Sequence, residues 1–217
     1  MKRHITTGLI LTLLAGSAWA ETPVFKWNYH TLRLIASGDP AKGQALAEEH
    51  RCAKCHGDTG IAEDDETPSI AGQSRSYQFK QLMDYKSKVR DERTMYKRAR
   101  KLTPEQMADL AAFYEAQTPE PQPKRDTVPP LATEGDKSRL LLSCDVCHGE
   151  GGSGYGYESP VLRGQKPIYF VDTMSAFREG DRENDHFGRM RFIAQQLTEE
   201  EIKALAAYYS VNPSPEE

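Results

Sequence analysis

The chain has 217 residues, with 28 Lys+Arg against 32 Asp+Glu and only four cysteines. A 38% hydrophobic and 28% charged composition with a mean hydropathy of −0.68 describes a soluble protein, and two Trp, ten Tyr and seven Phe among periodic apolar stretches exclude a disordered one. The net charge of −4 excludes nucleic acid as the main partner, and four cysteines are too few for a disulfide scaffold.

In chain order, residues 1–20 read as a cleavable secretory signal. Lys2 and Arg3 give a positive start, and Ile5–Leu14 is apolar except for Thr6, Thr7, Gly8 and Thr12. Ala18-Trp19-Ala20 then places small residues where a signal peptidase reads. The apolar run falls short of the ~20 residues that cross a bilayer, so cleavage is expected, with export to the periplasm. The mature chain would carry 26 basic and 32 acidic side chains. Residues 21–37 form an N-terminal extension in which Phe25, Trp27 and Tyr29 alternate with polar residues, as in an extended surface segment.

From residue 38 the chain repeats itself. Cys52-Ala53-Lys54-Cys55-His56-Gly57 recurs 92 residues later as Cys144-Asp145-Val146-Cys147-His148-Gly149. The same offset carries Pro68 onto Pro160, Gly72-Gln73 onto Gly164-Gln165, Tyr77 onto Tyr169 and Arg90 onto Arg182. After three extra residues the offset is 95, which aligns Met95 with Met190, Leu102-Thr103 with Leu197-Thr198, and Leu110-Ala111-Ala112 with Leu205-Ala206-Ala207. The repeat predicts two tandem domains, 38–118 and 134–217, joined by a proline-rich linker over 119–133. Both are expected to be all-α. One helix is predicted over Tyr77–Val89, with a partner over Ile168–Arg178. A second opens at Thr103-Pro104 with Gln106 completing a capping box, and Thr198 with Glu201 repeats the pattern.

Cys-x-x-Cys-His is the attachment signature of c-type haem. Two thiols bond the porphyrin's two vinyl groups, and one helical turn brings the following imidazole beneath the iron. Zinc is a poorer reading, because 88 residues separate the two cysteine pairs and each pair has its own repeat. A redox dithiol or local disulfides would leave two duplicated histidines unexplained. Cys52, Cys55, Cys144 and Cys147 are therefore the expected covalent attachments of two haem c groups, with His56 and His148 as axial iron ligands. Met95 and Met190 are the expected second ligands, lying on a loop downstream of a helix. Met83, Met107 and Met174 sit at helical spacing among apolar neighbours and read as core. His186, four residues before Met190, competes for the second iron but has no counterpart in the first repeat.

The CxxCHG pairs, the segments Pro68–Gln73 and Pro160–Gln165, Tyr77 and Tyr169, the paired methionines and the closing Leu-Ala-Ala helices together resemble the tandem dihaem class I cytochromes c of the cytochrome c4 type. The dihaem subunit of flavocytochrome c sulfide dehydrogenases is similar in layout. The resemblance implies two small helical folds, each around one haem. It also implies that the Pro68 and Pro160 carbonyls accept a hydrogen bond from the axial histidines. Two His/Met irons leave no open position, so an electron carrier is expected and not an enzyme. Its partners would be redox proteins: a membrane terminal oxidase or respiratory reductase or, alternatively, a dehydrogenase of sulfide or another sulfur compound to which this chain is a dedicated subunit. Eight basic residues against Asp91 and Glu92 in Lys86–Lys101 suggest docking of an acidic partner beside haem one, whereas Arg178–Arg191 balances four basic with four acidic residues.

Overall fold

A computed structural model describes residues 25–211; the expected signal segment lies outside the described residues. The first unit contains α1 (Tyr29–Ala36), α2 (Pro40–Glu49), α3 (Ala53–His56), α4 (Arg75–Ser87), α5 (Arg93–Ala99) and α6 (Pro104–Glu115). The second contains α7 (Pro130–Thr133), α8 (Cys144–His148), α9 (Pro167–Glu179), α10 (Arg189–Gln195) and α11 (Glu199–Tyr209). Among the described residues β-structure is confined to three isolated bridges. No helix among them is long and apolar enough to cross a membrane.

Local chemistry sets the helix ends. Asp39 caps α2 ahead of Pro40, and its carboxylate accepts from the Ala41 and Lys42 amides. Both predicted capping boxes are formed, at Thr103/Gln106 on α6 and Thr198/Glu201 on α11. Helices α4 and α9 match the sequence expectation to within two residues at every boundary. Each stops at a left-handed residue, Lys88 (φ 61°) in one and Gly180 (φ 86°) in the other.

Each unit has its own core. In the first, α6 is the central helix, packed by α1, α2 and α4, and it buries Met107, Leu110, Ala111 and Tyr114. In the second, α9 packs on α10 and α11, burying Phe170, Met174, Ile202, Leu205 and Tyr209. The units are not identical. Helix α2 crosses α6 so closely that a Cβ on Gly43 would stand 2.1 Å from the Asp109 carbonyl oxygen. The corresponding stretch of the second unit is the single turn α7 and an Asp136–Leu141 bridge. Arg139 ties that stretch to α11, pairing with Asp136 (2.7 Å) and Glu201 (2.7 Å).

The N-terminal stretch is more structured than its alternation suggests. Phe25 and Trp27 lie outside any helix or strand, but Tyr29 begins α1, which Asn28 caps and whose Ile35 enters the first core. Phe25 packs edge-on to Phe79 of α4, while Trp27 stacks on Tyr157 of the second unit (centroids 5.5 Å) and donates to Glu158. The segment is a strap across both units. The linker is held along the second unit, where Lys166 pairs with Glu120 (3.2 Å) and Arg125 donates to the Ser210 carbonyl (3.1 Å).

Candidate haem sites

Both CxxCH motifs wind into one helical turn, α3 and α8, so the two cysteines and the histidine share a short rigid segment. The glycine after each histidine reverses the chain from a left-handed conformation, Gly57 at φ 73° and Gly149 at φ 77°. A Cβ on Gly57 would lie 2.0 Å from the Ile61 carbonyl oxygen, so only glycine fits the turn. The returning loop is pinned in the same way in both units: Ile70 and Ala71 donate to the Gly60 carbonyl, and Leu162 and Arg163 to that of Gly152. The Gly72 amide donates to Tyr114 O and the Gly164 amide to Tyr209 O, each at 2.8 Å, which anchors the loop to the last helix.

The loops deliver the contact that the resemblance implies. His56 Nδ1 donates to Pro68 O at 2.9 Å, and His148 Nδ1 to Pro160 O at 3.0 Å. With Nδ1 carrying the proton, Nε2 is left with the lone pair that a metal takes. Burial pushes both imidazoles below their usual pKa, against the opposing pull of the proline carbonyls. A ligating histidine must be neutral, and these are held so. No disulfide joins any of the four cysteines, so each pair is available to a covalent partner, and burial pushes the Cys144 thiol up to about 11 and that of Cys52 upward as well.

Met95 and Met190 do not lie on loops as expected. Each sits in the first turns of a seven-residue helix, α5 or α10, half-buried against its own unit's core. The sequence misses these helices because seven residues show too little periodicity, and their stability comes from packing. Met107 and Met174 are buried core, and Met83 packs against the first core, as expected. His186 turns its Nδ1 toward Glu158 at 3.2 Å.

Two features between the units are not evident from the sequence, although the repeat marks both. Arg90 donates to the Tyr169 hydroxyl (3.1 Å) and Arg182 to that of Tyr77 (3.0 Å), a reciprocal exchange between matched residues. Neither guanidinium is paired with a carboxylate among the described residues. Burial alone would raise the Tyr169 phenol, yet the neighbouring Arg90 and Arg182 guanidiniums bring it down to about 7. Two cysteines on one helical turn beside a histidine whose Nδ1 is engaged fit a covalently attached macrocycle whose metal the imidazole would hold. The second feature is the pair Gln73 and Gln165, each bonded to the opposite unit's histidine loop.

Known proteins share this arrangement. The family model described as Cytochrome c matches residues 40–116 and again 132–210. Cytochrome c4 of Thiocapsa roseopersicina is 36% identical over 180 residues, 79% of this chain and 91% of that protein. A thiosulfate dehydrogenase electron acceptor of Stutzerimonas stutzeri is 33% identical, covering 78% of this chain and 82% of its own length. The crystal structure of reduced recombinant cytochrome c4 from Pseudomonas stutzeri superimposes with a TM-score of 0.71 at 29% identity, over 80% of this chain and 98% of that one. The chain belongs to the cytochrome c family and is a dihaem electron-transfer protein of the cytochrome c4 type, built from two tandem class I domains that covalently bind two haem c groups.

Proposed function

We propose that Cys52 and Cys55 attach haem one and Cys144 and Cys147 attach haem two, with His56 and Met95 as axial ligands of the first iron and His148 and Met190 of the second. The histidine geometry and the matched placement of the two methionines support this assignment. Each bound haem supplies one-electron exchange between ferric and ferrous iron. The chain fixes both histidines and holds them neutral, and with Met95 and Met190 as the second ligands neither iron would change its ligands on electron transfer.

The carrier works in the periplasm, exported by the signal at residues 1–20, and delivers electrons to a membrane terminal oxidase or another respiratory reductase. The observation that carries a docking role is the surface around Met95. Lys88, Arg93, Lys97, Arg98, Arg100 and Lys101 are all exposed, and among the described residues none is ion-paired. Unpaired cations on one face attract an acidic partner and raise its encounter rate. A second reading, as the electron acceptor of a sulfur-compound dehydrogenase, is favoured by the relatives named thiosulfate dehydrogenase electron acceptor. Rapid mixing decides between them. The first reading expects fast oxidation of the reduced protein by oxidase-containing membranes, slowing steeply with salt. Rapid reduction by a thiosulfate-oxidising dehydrogenase that co-purifies with the chain, with slow oxidation by the membranes, would establish the second.

A further inference from the structure

The loops that hold the histidines are themselves held from across the domain boundary. Gln165 Oε1 accepts from the Ser69 amide at 2.9 Å, and Gln165 Nε2 donates to Ser69 O at 3.0 Å. Gln73 does the same to Val161, accepting from its amide at 2.9 Å and donating to its carbonyl at 3.0 Å. Ser69 follows Pro68, and Val161 follows Pro160. The peptide unit whose carbonyl accepts from His56 is therefore the same unit whose N–H donates to Gln165. Each glutamine oxygen is also fixed from its own side, by the Ser74 amide (3.0 Å) or the Lys166 amide (2.9 Å). Ser69 and Gln73 are buried and Val161 and Gln165 half-buried, which limits competition from water for these bonds.

We propose that Gln73 and Gln165 are crossed positioning residues, each helping to set the reduction potential of the haem in the opposite domain. A peptide that donates its N–H to a fixed acceptor becomes a better acceptor at its carbonyl, because chained hydrogen bonds polarise one another. A carbonyl that accepts more strongly from Nδ1–H makes the imidazole a more electron-rich ligand, which favours ferric iron and lowers the potential. Gln165 thus acts on haem one through Ser69, Pro68 and His56, and Gln73 acts on haem two through Val161, Pro160 and His148. The inference rests on the axial roles assigned above to His56 and His148.

The test is a spectroelectrochemical titration of the full-length holoprotein, with wave one assigned as the wave that falls in a Met95→His background. Gln165→Leu should raise the potential of haem one by a few-fold to about tenfold in its reduction equilibrium, where tenfold is 59 mV for one electron. Haem two should stay in place. Gln73→Leu should do the reverse, and the double variant should show both shifts at their single-variant sizes. Gln165→Met keeps the chain length without either hydrogen bond and should repeat the leucine result, which covers a leucine variant that assembles poorly. A shift of the variant's own haem, an equal shift of both, or no shift would overturn the proposal, since loosened domain packing moves both waves together. If Met95→His moved neither wave, or the parent lacked two low-spin haems, the ligand assignment would fail instead.

Discussion

In the first domain Met95 stands on a helix that Glu92 caps through the Thr94 and Met95 amides, and the cations around it have no carboxylate partner among the described residues. In the second, Met190 follows a three-residue turn with Phe187 at φ 55° and Gly188 at φ 68°, and the neighbouring Arg191 is tied to Asp185 (2.9 Å) and Glu183 (3.3 Å). Around the CxxCH turns and in the last helices the two domains agree closely, in the His–Pro contact, the glycine reversal and the capping boxes. The surroundings of the CxxCH turns are duplicated, whereas the surroundings of the two methionines have diverged. The exposed, unpaired cations lie in the first domain, which is why the proposed docking end is placed there.

The comparison can be broken in four ways, in order of expected effect. Met95→Ala should abolish the far-red methionine–iron band of one haem only and lower that haem's potential by ~0.1–0.3 V, within the ~0.8 V that axial ligation spans. Met190→Ala should do the same to the other haem, as redox titration with absorption detection would show. Met107 is fully buried and its counterpart Ile202 nearly so, and truncating either to alanine should cost about 2–5 kcal/mol. Denaturant unfolding followed at each haem should show the altered domain melting first. Reversing Lys97, Arg98 and Arg100 to glutamate should slow association with an acidic partner by roughly tenfold at low salt and hardly at all at high salt. Reversing Arg178 and Arg189 in the second domain should change that rate little. Finally, Lys88 holds a left-handed conformation that its counterpart Gly180 adopts freely. Lys88→Gly should stabilise the first domain by about 0.5–1 kcal/mol and Gly180→Ala should destabilise the second, both read as shifts in melting temperature.

Much of this was legible in the sequence because the signals are local or duplicated. A CxxCHG motif fixes its own helical turn, a Thr-Pro-x-Gln run caps its own helix, and a repeat shows which residues share a role. Helix α1 was not legible, because the alternation of Phe25, Trp27 and Tyr29 resembles a strand up to the Asn28 cap. The second domain's loss of an α2 counterpart was not legible either, since Arg139 secures that loop through Glu201, 62 residues away. The work of Gln73 and Gln165 lies in contacts between domains, 88 and 96 residues apart in the chain, which no periodicity records.

The central claim, two domains each closing one iron between a histidine and a methionine, is tested most directly by counting ligation on one purified sample. Covalent haem per chain and the intensity of the far-red methionine–iron band per haem would be measured together in the oxidised protein. The account predicts two haems per chain, both low-spin, and a full methionine band for each. One haem per chain, or a band of half intensity that Met95→Ala or Met190→Ala leaves unchanged, would contradict it.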